Sequence, residues 1–153
     1  MFCKKYDVAV CGGGIAGCAA AIASAQRGMK TVLIENCVIP GGLATSGMVL
    51  VYLPLCDGEG RQVVSGLSER FLKISNKYGP AEIPAEWRKG GKGNRLQAYF
   101  SPASFVLALD EMLTEYGIDL WFDTKIIGAE KTDACRLISV QVANKSGTGK
   151  IEA

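Results

Sequence analysis

Apolar residues occur along the chain in short runs and in helical stripes, and their spacing predicts alternating strands and helices. An apolar run over about residues 6–11 and a second over about 31–35 have the length of buried strands. The alanine-rich stretch between them, about 15–27, predicts a helix, and Gly28 is placed to end it because glycine tolerates the left-handed conformation. This order of strand, helix and strand is typical of an α/β fold.

Two further helices are indicated by apolar residues that recur about three or four positions apart. The first stripe consists of Leu67, Phe71, Ile74 and Tyr78. The second consists of Phe105, Leu109, Met112 and Tyr116. Gly79-Pro80 stops the first helix, while Ser101 and Pro102 are suited to open the second as N-cap and first helical residue, and Gly117 to end it.

The last part of the chain alternates strand-like runs with turn residues. A buried strand is predicted at 118–122, followed by three short strands at 125–131, at 136–143 and from Lys150 to the end. Turns at 132–133 and 144–147 join the last three into an antiparallel meander. Loop-rich insertions at about 36–62 and 80–100 interrupt the pattern, and loops of this length inside a compact domain are usually functional.

The junction of the first strand and helix carries a G-x-G-x-x-G pattern at Gly12, Gly14 and Gly17. The first glycine allows a sharp turn, the second lets the backbone approach a pyrophosphate, and the third lets the helix pack on the strand. The helix that begins at about Ile15 directs free N–H groups and a positive dipole end at the phosphates. Glu35 ends the next strand, where an acid accepts hydrogen bonds from an adenosine ribose and repels a 2′-phosphate. The pattern therefore predicts a dinucleotide site and argues against NADP.

Composition narrows the function further. The chain has 153 residues, of which 48% are apolar, so one globular domain over residues 1–153 is expected. The net charge is +2 and no basic run interleaves with aromatics, which gives nucleic-acid binding little support. There is no histidine, and the six cysteines form no C-x-x-C pair, so no metal site is predicted and a reduced, cytoplasmic protein is expected. No stretch is long and apolar enough to span a bilayer, and three glycines interrupt the segment that imitates a signal peptide.

With these motifs, the chain resembles the FAD-dependent oxidoreductases with the glutathione-reductase-type FAD fold. The resemblance is carried by the fingerprint from Asp7 to Glu35, by the run 40–47 with its glycine pair, by the run 57–67 leading into a helix, and by the segment from Gly117 through 123–126 into the meander. It implies that the loop at Gly41 and Gly42 runs along the pyrophosphate and ribityl chain of FAD. It also implies that the backbone at Ile126 contacts the adenine.

The chain departs from the family pattern in two places. Disulfide reductases of this fold have a redox cysteine pair soon after the glycine pair, whereas residues 43–46 here are Leu-Ala-Thr-Ser, so that chemistry is not expected. In the family the meander leads into a strand that ends in an Ala-Thr-Gly-Asp-type motif, and this chain ends at Ala153 before such a motif. We therefore expect a Rossmann-like FAD/NAD(P)-binding parallel sheet with helices and a β-meander, truncated at the C-terminus, with an exposed sheet edge that favours self-association.

The sequence thus predicts the FAD-binding portion of a flavin oxidoreductase of unknown substrate, with FAD supplying the redox chemistry. No catalytic residue is predicted, since Arg88 and Arg95 are better explained as solvated loop charges than as contacts to an anionic substrate. The alternatives are an NAD(H)-binding dehydrogenase domain, a non-redox protein of the same fold, and a non-catalytic nucleotide-binding fragment that needs a partner or the rest of its chain. The predicted cofactor-binding residues are Gly12, Gly14, Ile15, Ala16, Gly17, Glu35, Asn36, Gly41, Gly42, Leu43, Thr45 and Ile126.

Overall fold

The computed structural model describes residues 2–53, 55–57, 59, 61–79, 98–134 and 136–153. Three α-helices and nine strands lie in these ranges. The helices are α1 (Ile15–Ala25), α2 (Leu67–Ile74) and α3 (Pro102–Glu115). The strands are β1 (Phe2–Lys5), β2 (Val8–Cys11), β3 (Thr31–Ile34), β4 (Val51–Tyr52), β5 (Ala98–Tyr99), β6 (Asp119–Trp121), β7 (Lys125–Lys131), β8 (Leu137–Asn144) and β9 (Gly147–Glu152).

The chain divides into two compact units, one of residues 1–42 with 110–153 and one of residues 43–109. The first unit holds two sheets. One is parallel, with the strand order β2-β3-β6, so β3 is central. The other has the order β1-β9-β8-β7, in which β7, β8 and β9 form an antiparallel meander and β1 pairs with β9 in parallel. The fold class predicted from the sequence, a parallel sheet with helices and a meander, is confirmed.

The first predicted strand, 6–11, is shorter than expected, because the chain changes sheet at Tyr6 and Asp7. The backbone N–H of Tyr6 still donates to Glu152 in the meander sheet, at 2.9 Å, whereas that of Asp7 donates to Lys30 beside the parallel sheet, also at 2.9 Å. The Asp7 carboxylate accepts a hydrogen bond from the Lys30 backbone at 2.8 Å and so fixes the crossover. The strand of the dinucleotide motif therefore begins at Val8.

Both faces of the central strand β3 are covered, which explains why all four of its residues are buried. Helix α1 packs against β2 and β3 through its small residues. Val32 and Ile34 point away from that helix and pack with Val140, Val142 and Ile151 of the meander in one core. Because a strand buried on both faces has no solvated side, Val32, Leu33 and Ile34 follow one another without polar alternation. The buried hydroxyl of Thr31 donates to the Met29 carbonyl at 3.0 Å.

The second unit is built around α2, the amino-terminal part of α3 and the two-stranded pair of β4 and β5. Phe71, Phe100 and Phe105 make edge-to-face ring contacts, and Leu55, Cys56, Leu72 and Ala98 form a second small core. Edge-to-face geometry is favoured because the positive ring edge meets the negative ring face. The long predicted loop at 36–62 thus contains β4 as well as a 3-10 turn at Gly42–Ala44.

The ends of α1 and α3 follow the predicted signals, whereas α2 ends at Ile74, before the predicted stop at Gly79, and β9 begins at Gly147, before the predicted start at Lys150. Ser101 caps α3 by accepting a hydrogen bond on Oγ from the backbone of Ser104, and Pro102 is the first helical residue. Gly28 and Gly117, after α1 and α3, both adopt the left-handed conformation, with φ of 77° and 66°. The strand β7 has the predicted bounds. In the described part of the chain, no helix has both the length and the apolar character needed to cross a membrane.

Candidate cofactor-binding site

The predicted phosphate loop lies between β2 and α1 and has the geometry that its glycines were expected to provide. Gly12 follows β2 with a φ of 106°, a conformation that favours glycine, and its N–H donates to Ile34 at 2.8 Å. A Cβ on Gly17 would lie 1.8 Å from the Gly12 carbonyl oxygen, so only glycine lets the helix start this close to the strand. Gly14 is the N-cap of α1, and no side chain caps the helix there. The first N–H groups of α1 therefore remain available to an anion.

The second glycine pair lies directly against this loop, although it follows about thirty positions later in the sequence. The Gly41 N–H donates to the Gly13 carbonyl at 2.7 Å, and Gly14 and Gly41 form a parallel bridge. A Cβ on Gly42 would lie 3.1 Å from the Cα of Gly14, and both Gly41 and Gly42 have positive φ values. The two glycine segments can approach this closely only because neither has side chains.

Glu35 ends the β3 segment and faces the phosphate loop. Its Oε2 accepts a hydrogen bond from the Gly13 N–H at 2.5 Å, and its Oε1 accepts one from the Cys37 N–H at 2.6 Å. A carboxylate has about four lone-pair positions, so each oxygen can accept one further hydrogen bond. The two N–H groups hold the carboxylate in place and leave acceptor positions for a diol such as a ribose.

A cleft of about 400 Å³ opens beside Glu35. It is lined by Cys11, Gly12, Ile34, Glu35, Asn36, Thr124, Lys125 and Ile126. Ile126 lies next to a β-bulge, because Ile126 pairs with Val142 and Gly128 pairs with Gln141, which leaves Ile127 as the extra residue. A bulge interrupts the ladder and can redirect a strand beside a site. The structure thus brings Gly12, Glu35, Asn36 and Ile126 to one cleft.

Two cysteines near the loop behave as small buried or poorly reactive groups. Cys18 is fully buried in α1, and its thiol donates to the Gly13 carbonyl at 3.3 Å. Burial raises the pKa of this thiol to about 11. Desolvation also raises the pKa of the Cys11 thiol, although this residue is exposed. A raised pKa disfavours the thiolate, so it does not support a reactive thiolate at Cys11.

The other predicted site residues fall in several places. Ile15, Ala16 and Gly17 form the first turn of α1. Leu43 and Thr45 belong to the second unit, where Leu43 is 76% exposed and Thr45 is 3% exposed. Arg88 and Arg95 lie outside the described residues.

Several residues at the site were not among the predicted cofactor-binding residues, namely Gly13 and four residues of the cleft lining, Cys11, Ile34, Thr124 and Lys125. Gly13 donates to Glu35 and has no room for a side chain, since its Cβ would lie 2.9 Å from the Cβ of Glu35. The unbroken run of glycines at 12–14 was the available sequence signal for this contact. Thr124 and Lys125 line the cleft because they precede Ile126. They lie in the segment 123–126 that carries the family resemblance, but only Ile126 was given a role there.

This geometry fits a dinucleotide. The space around Gly14 is open, because no described residue other than its chain neighbours has an atom within 4 Å of where its Cβ would lie, so a phosphate can approach the backbone. Glu35 and the cleft lie beside this loop. The family model for FAD dependent oxidoreductases matches residues 7–153 of the chain.

The chain belongs to this family. FAD is the family's cofactor, so the cofactor and the oxidoreductase class predicted from the sequence are confirmed at this level. One curated relative is a tRNA uridine 5-carboxymethylaminomethyl modification enzyme from Syntrophotalea carbinolica. It is 30% identical over 159 residues, and the match covers 95% of this chain and 25% of the relative. The chain therefore spans about a quarter of the length of that relative.

Solved structures show the same fold at low sequence identity. A geranylgeranyl bacteriochlorophyll reductase-like protein from Thermoplasma acidophilum superposes with a TM-score of 0.64 at 23% identity, over 99% of this chain and 38% of that one. A 3-ketosteroid-delta4-(5alpha)-dehydrogenase from Rhodococcus jostii RHA1 superposes with a TM-score of 0.67 at 15% identity, over 100% of this chain and 45% of that one. At these sequence identities, the structural likeness establishes the fold of this chain but says nothing about the substrate.

Proposed function

We propose that this chain binds the adenosine diphosphate half of FAD along the line formed by the phosphate loop, Glu35 and the cleft. The pyrophosphate would lie over Gly12 and Gly14 at the start of α1, the ribose hydroxyls would donate to the Glu35 carboxylate, and the adenine would lie against the backbone at Ile126. The bound flavin would supply the electron transfer of a flavin-dependent oxidoreductase.

The observation that carries this proposal is the contact between the two glycine segments. The hydrogen bond from the Gly41 N–H to the Gly13 carbonyl, at 2.7 Å, places the second glycine pair against the phosphate loop. A plain NAD site does not require a second glycine segment, whereas the FAD family runs this loop along the pyrophosphate and ribityl chain. The contact therefore favours FAD over NAD(H).

The residues of the chain have separate tasks in this proposal. The N–H groups at the start of α1 bind the pyrophosphate charge, which the helix dipole also stabilises. Glu35 orients the ribose and disfavours a 2′-phosphate by charge repulsion. Leu43 and Thr45 are proposed to meet the ribityl side of the cofactor, by the family resemblance. Both compact units are proposed to belong to one FAD-binding domain over residues 1–153.

The proposal is tested by measuring the affinity of the purified protein for FAD and for NADH, and the absorbance of any released cofactor near 450 nm. We expect Glu35→Gln to weaken FAD binding by about ten-fold or more, because hydrogen bonds to a charged group are worth about 1.5–3 kcal/mol. Glu115→Gln is the matched control, since Glu115 is an exposed glutamate at the end of α3. Preferential binding of NADH, or equal FAD affinity of Glu35→Gln and wild type, would contradict the proposal.

A second candidate concerns the substrate of the whole protein. Several curated relatives are tRNA-modifying enzymes by name, which favours a tRNA substrate. The net charge of +2 and the lack of a basic run among aromatics lead us to expect no nucleic-acid contact from the residues of this chain. Filter binding of labelled tRNA at low salt tests this expectation, and salt-dependent binding by this chain would contradict it.

Two further expectations concern the state of the protein. We propose self-association through the edge of β2, since β2 has a ladder partner on one side only among the described residues. Concentration-dependent sedimentation that disappears with Ala9→Pro would support this edge contact, since proline removes a strand N–H donor.

A cytoplasmic location is proposed from the absence of a cysteine framework, and fluorescence microscopy of a tagged protein tests it.

A further inference from the structure

We propose that Thr124 and Asn144 are positioning residues for the adenosine end of the cofactor. The hydrogen bond between their side chains would fix the wall of the cleft that carries Ile126. This inference rests on the proposed placement of the adenosine in the cleft beside Glu35, and it gives a role to two residues to which neither the glycine motif nor the family resemblance assigns one.

The cleft has two walls that are joined by backbone hydrogen bonds. One wall is the segment 35–37, which carries the ribose acid, and the other is the segment 122–126, which carries the adenine contact. The Asp123 N–H donates to the Cys37 carbonyl at 3.1 Å, and the Thr124 N–H donates to the Glu35 carbonyl at 3.0 Å. The position of Thr124 therefore sets the distance between the ribose acceptor and the adenine wall.

The backbone conformation between the walls needs support from its surroundings. Asp123 has a φ of 49°, in the left-handed region that non-glycine residues rarely occupy. This turn directs two consecutive N–H groups, those of Asp123 and Thr124, to the same opposite segment. Strained conformations of this kind persist only when neighbouring contacts hold them in place.

The side chain of Thr124 provides such a contact. Thr124 is 1% exposed, and its hydroxyl donates to the Phe122 carbonyl at 2.9 Å and accepts from the Asn144 amide at 3.3 Å. Asn144 ends β8, and its side-chain oxygen accepts the Ser146 N–H at 2.9 Å. The amide is thus oriented by the turn between β8 and β9, and it connects this hairpin to the cleft wall.

A second link between the same segments is weaker. Lys145 and Asp123 form an ion pair at 3.0 Å, but the Lys145 side chain is 90% exposed. Exposed ion pairs contribute little to stability because water and salt screen them. The buried hydrogen bond between Thr124 and Asn144 is therefore the contact expected to hold the wall.

The test compares Thr124→Val, which keeps the shape and removes the hydroxyl, with Thr124→Ser, which keeps the hydroxyl. Ser146→Ala is the matched control in the same turn. The affinities for FAD and for ADP are measured in the full chain, together with the melting temperature of the ligand-free protein. We expect Thr124→Val to weaken both ligands about ten-fold, because losing one buried hydrogen bond has about this effect. Thr124→Ser and Ser146→Ala should stay within about two-fold of wild type, since both retain the bond.

ADP contains the adenosine and the pyrophosphate but no flavin, so its affinity tests the adenosine side of the site. The melting temperature of the ligand-free protein shows whether a variant has lost stability in general. A lower melting temperature of Thr124→Val with unchanged affinities at low temperature would overturn the proposal, as would weaker FAD binding with unchanged ADP binding. If Thr124→Val does not fold, Asn144→Ala replaces it, and the same loss of both affinities is expected. Failure of wild type to bind either ligand would instead reject the proposed function itself.

Discussion

Replacing Gly17 with alanine tests the packing of the phosphate loop, because two physical effects oppose each other at this position. Alanine in place of glycine normally stabilises a helix by about 1 kcal/mol. Here, however, the new Cβ would lie 1.8 Å from the Gly12 carbonyl oxygen and 3.0 Å from its carbonyl carbon. Both atoms belong to the backbone, so the helix would have to move away from β2 by about 1.2 Å or more to reach the shortest contact that real Cβ atoms show.

Overpacking of this kind costs about 3 kcal/mol at the upper end of its usual range, which exceeds the gain in helix propensity by about 2 kcal/mol. For a chain of this length, that loss lowers the melting temperature by about 4–8 °C. The change is measured by thermal unfolding of the ligand-free protein, followed by circular dichroism. We also expect the displaced helix start to abolish FAD binding, measured by quenching of flavin fluorescence.

Gly14→Ala is the matched control, because this glycine lies in the same loop but has free space around it. Apart from its chain neighbours, none of the residues that the structure describes has an atom within 4 Å of its Cβ position, and its φ of −64° is accessible to alanine. We expect an unchanged melting temperature and at least about ten-fold weaker FAD binding, since the methyl group would occupy the space through which the pyrophosphate approaches. A higher melting temperature of Gly17→Ala would refute the packing argument, and full FAD affinity of Gly14→Ala would refute the role of the loop.

Three further predictions follow from individual side chains. FAD should slow the alkylation of Cys11, which lines the cleft, but not that of Cys3, which is exposed outside it. Alkylation is measured by mass spectrometry at alkaline pH, and equal protection of both cysteines would contradict the placement of the cofactor. Burial raises the pKa of Tyr52 to about 12, so the free energy of unfolding should fall as pH rises through about 10–12. Urea titration should show a smaller fall in Tyr52→Phe than in wild type, and parallel curves of unfolding free energy against pH would refute this. The Lys150 ammonium lies 2.5 Å from the Glu130 carboxylate and lowers its pKa. Wild type should therefore lose more stability than Glu130→Gln as pH falls below about 4.5, and an equal loss would contradict this coupling of the ion pair to stability.

Local sequence signals specified most of the secondary structure. Gly28 and Gly117 end their helices with positive φ, and Ser101 caps α3, because caps and left-handed residues depend on neighbours along the chain. The bounds of β7 also followed from the alternation and turn residues. The start of β2 was not predicted correctly, because Phe2–Lys5 pairs with β9 in the meander sheet. This pairing depends on residues about 145 positions away.

The same division applies to the candidate site. The spacing of Gly12, Gly14 and Gly17 and the acid at Glu35 predicted a dinucleotide site from the sequence alone, because a strand–turn–helix places these residues within one short segment. Only the tertiary structure showed that the Gly13 N–H holds the Glu35 carboxylate, and that Thr124 of the cleft wall accepts a hydrogen bond from the Asn144 side chain. Hydrogen bonds between distant segments depend on how the sheets and hairpins pack, and no local pattern of side chains encodes that arrangement.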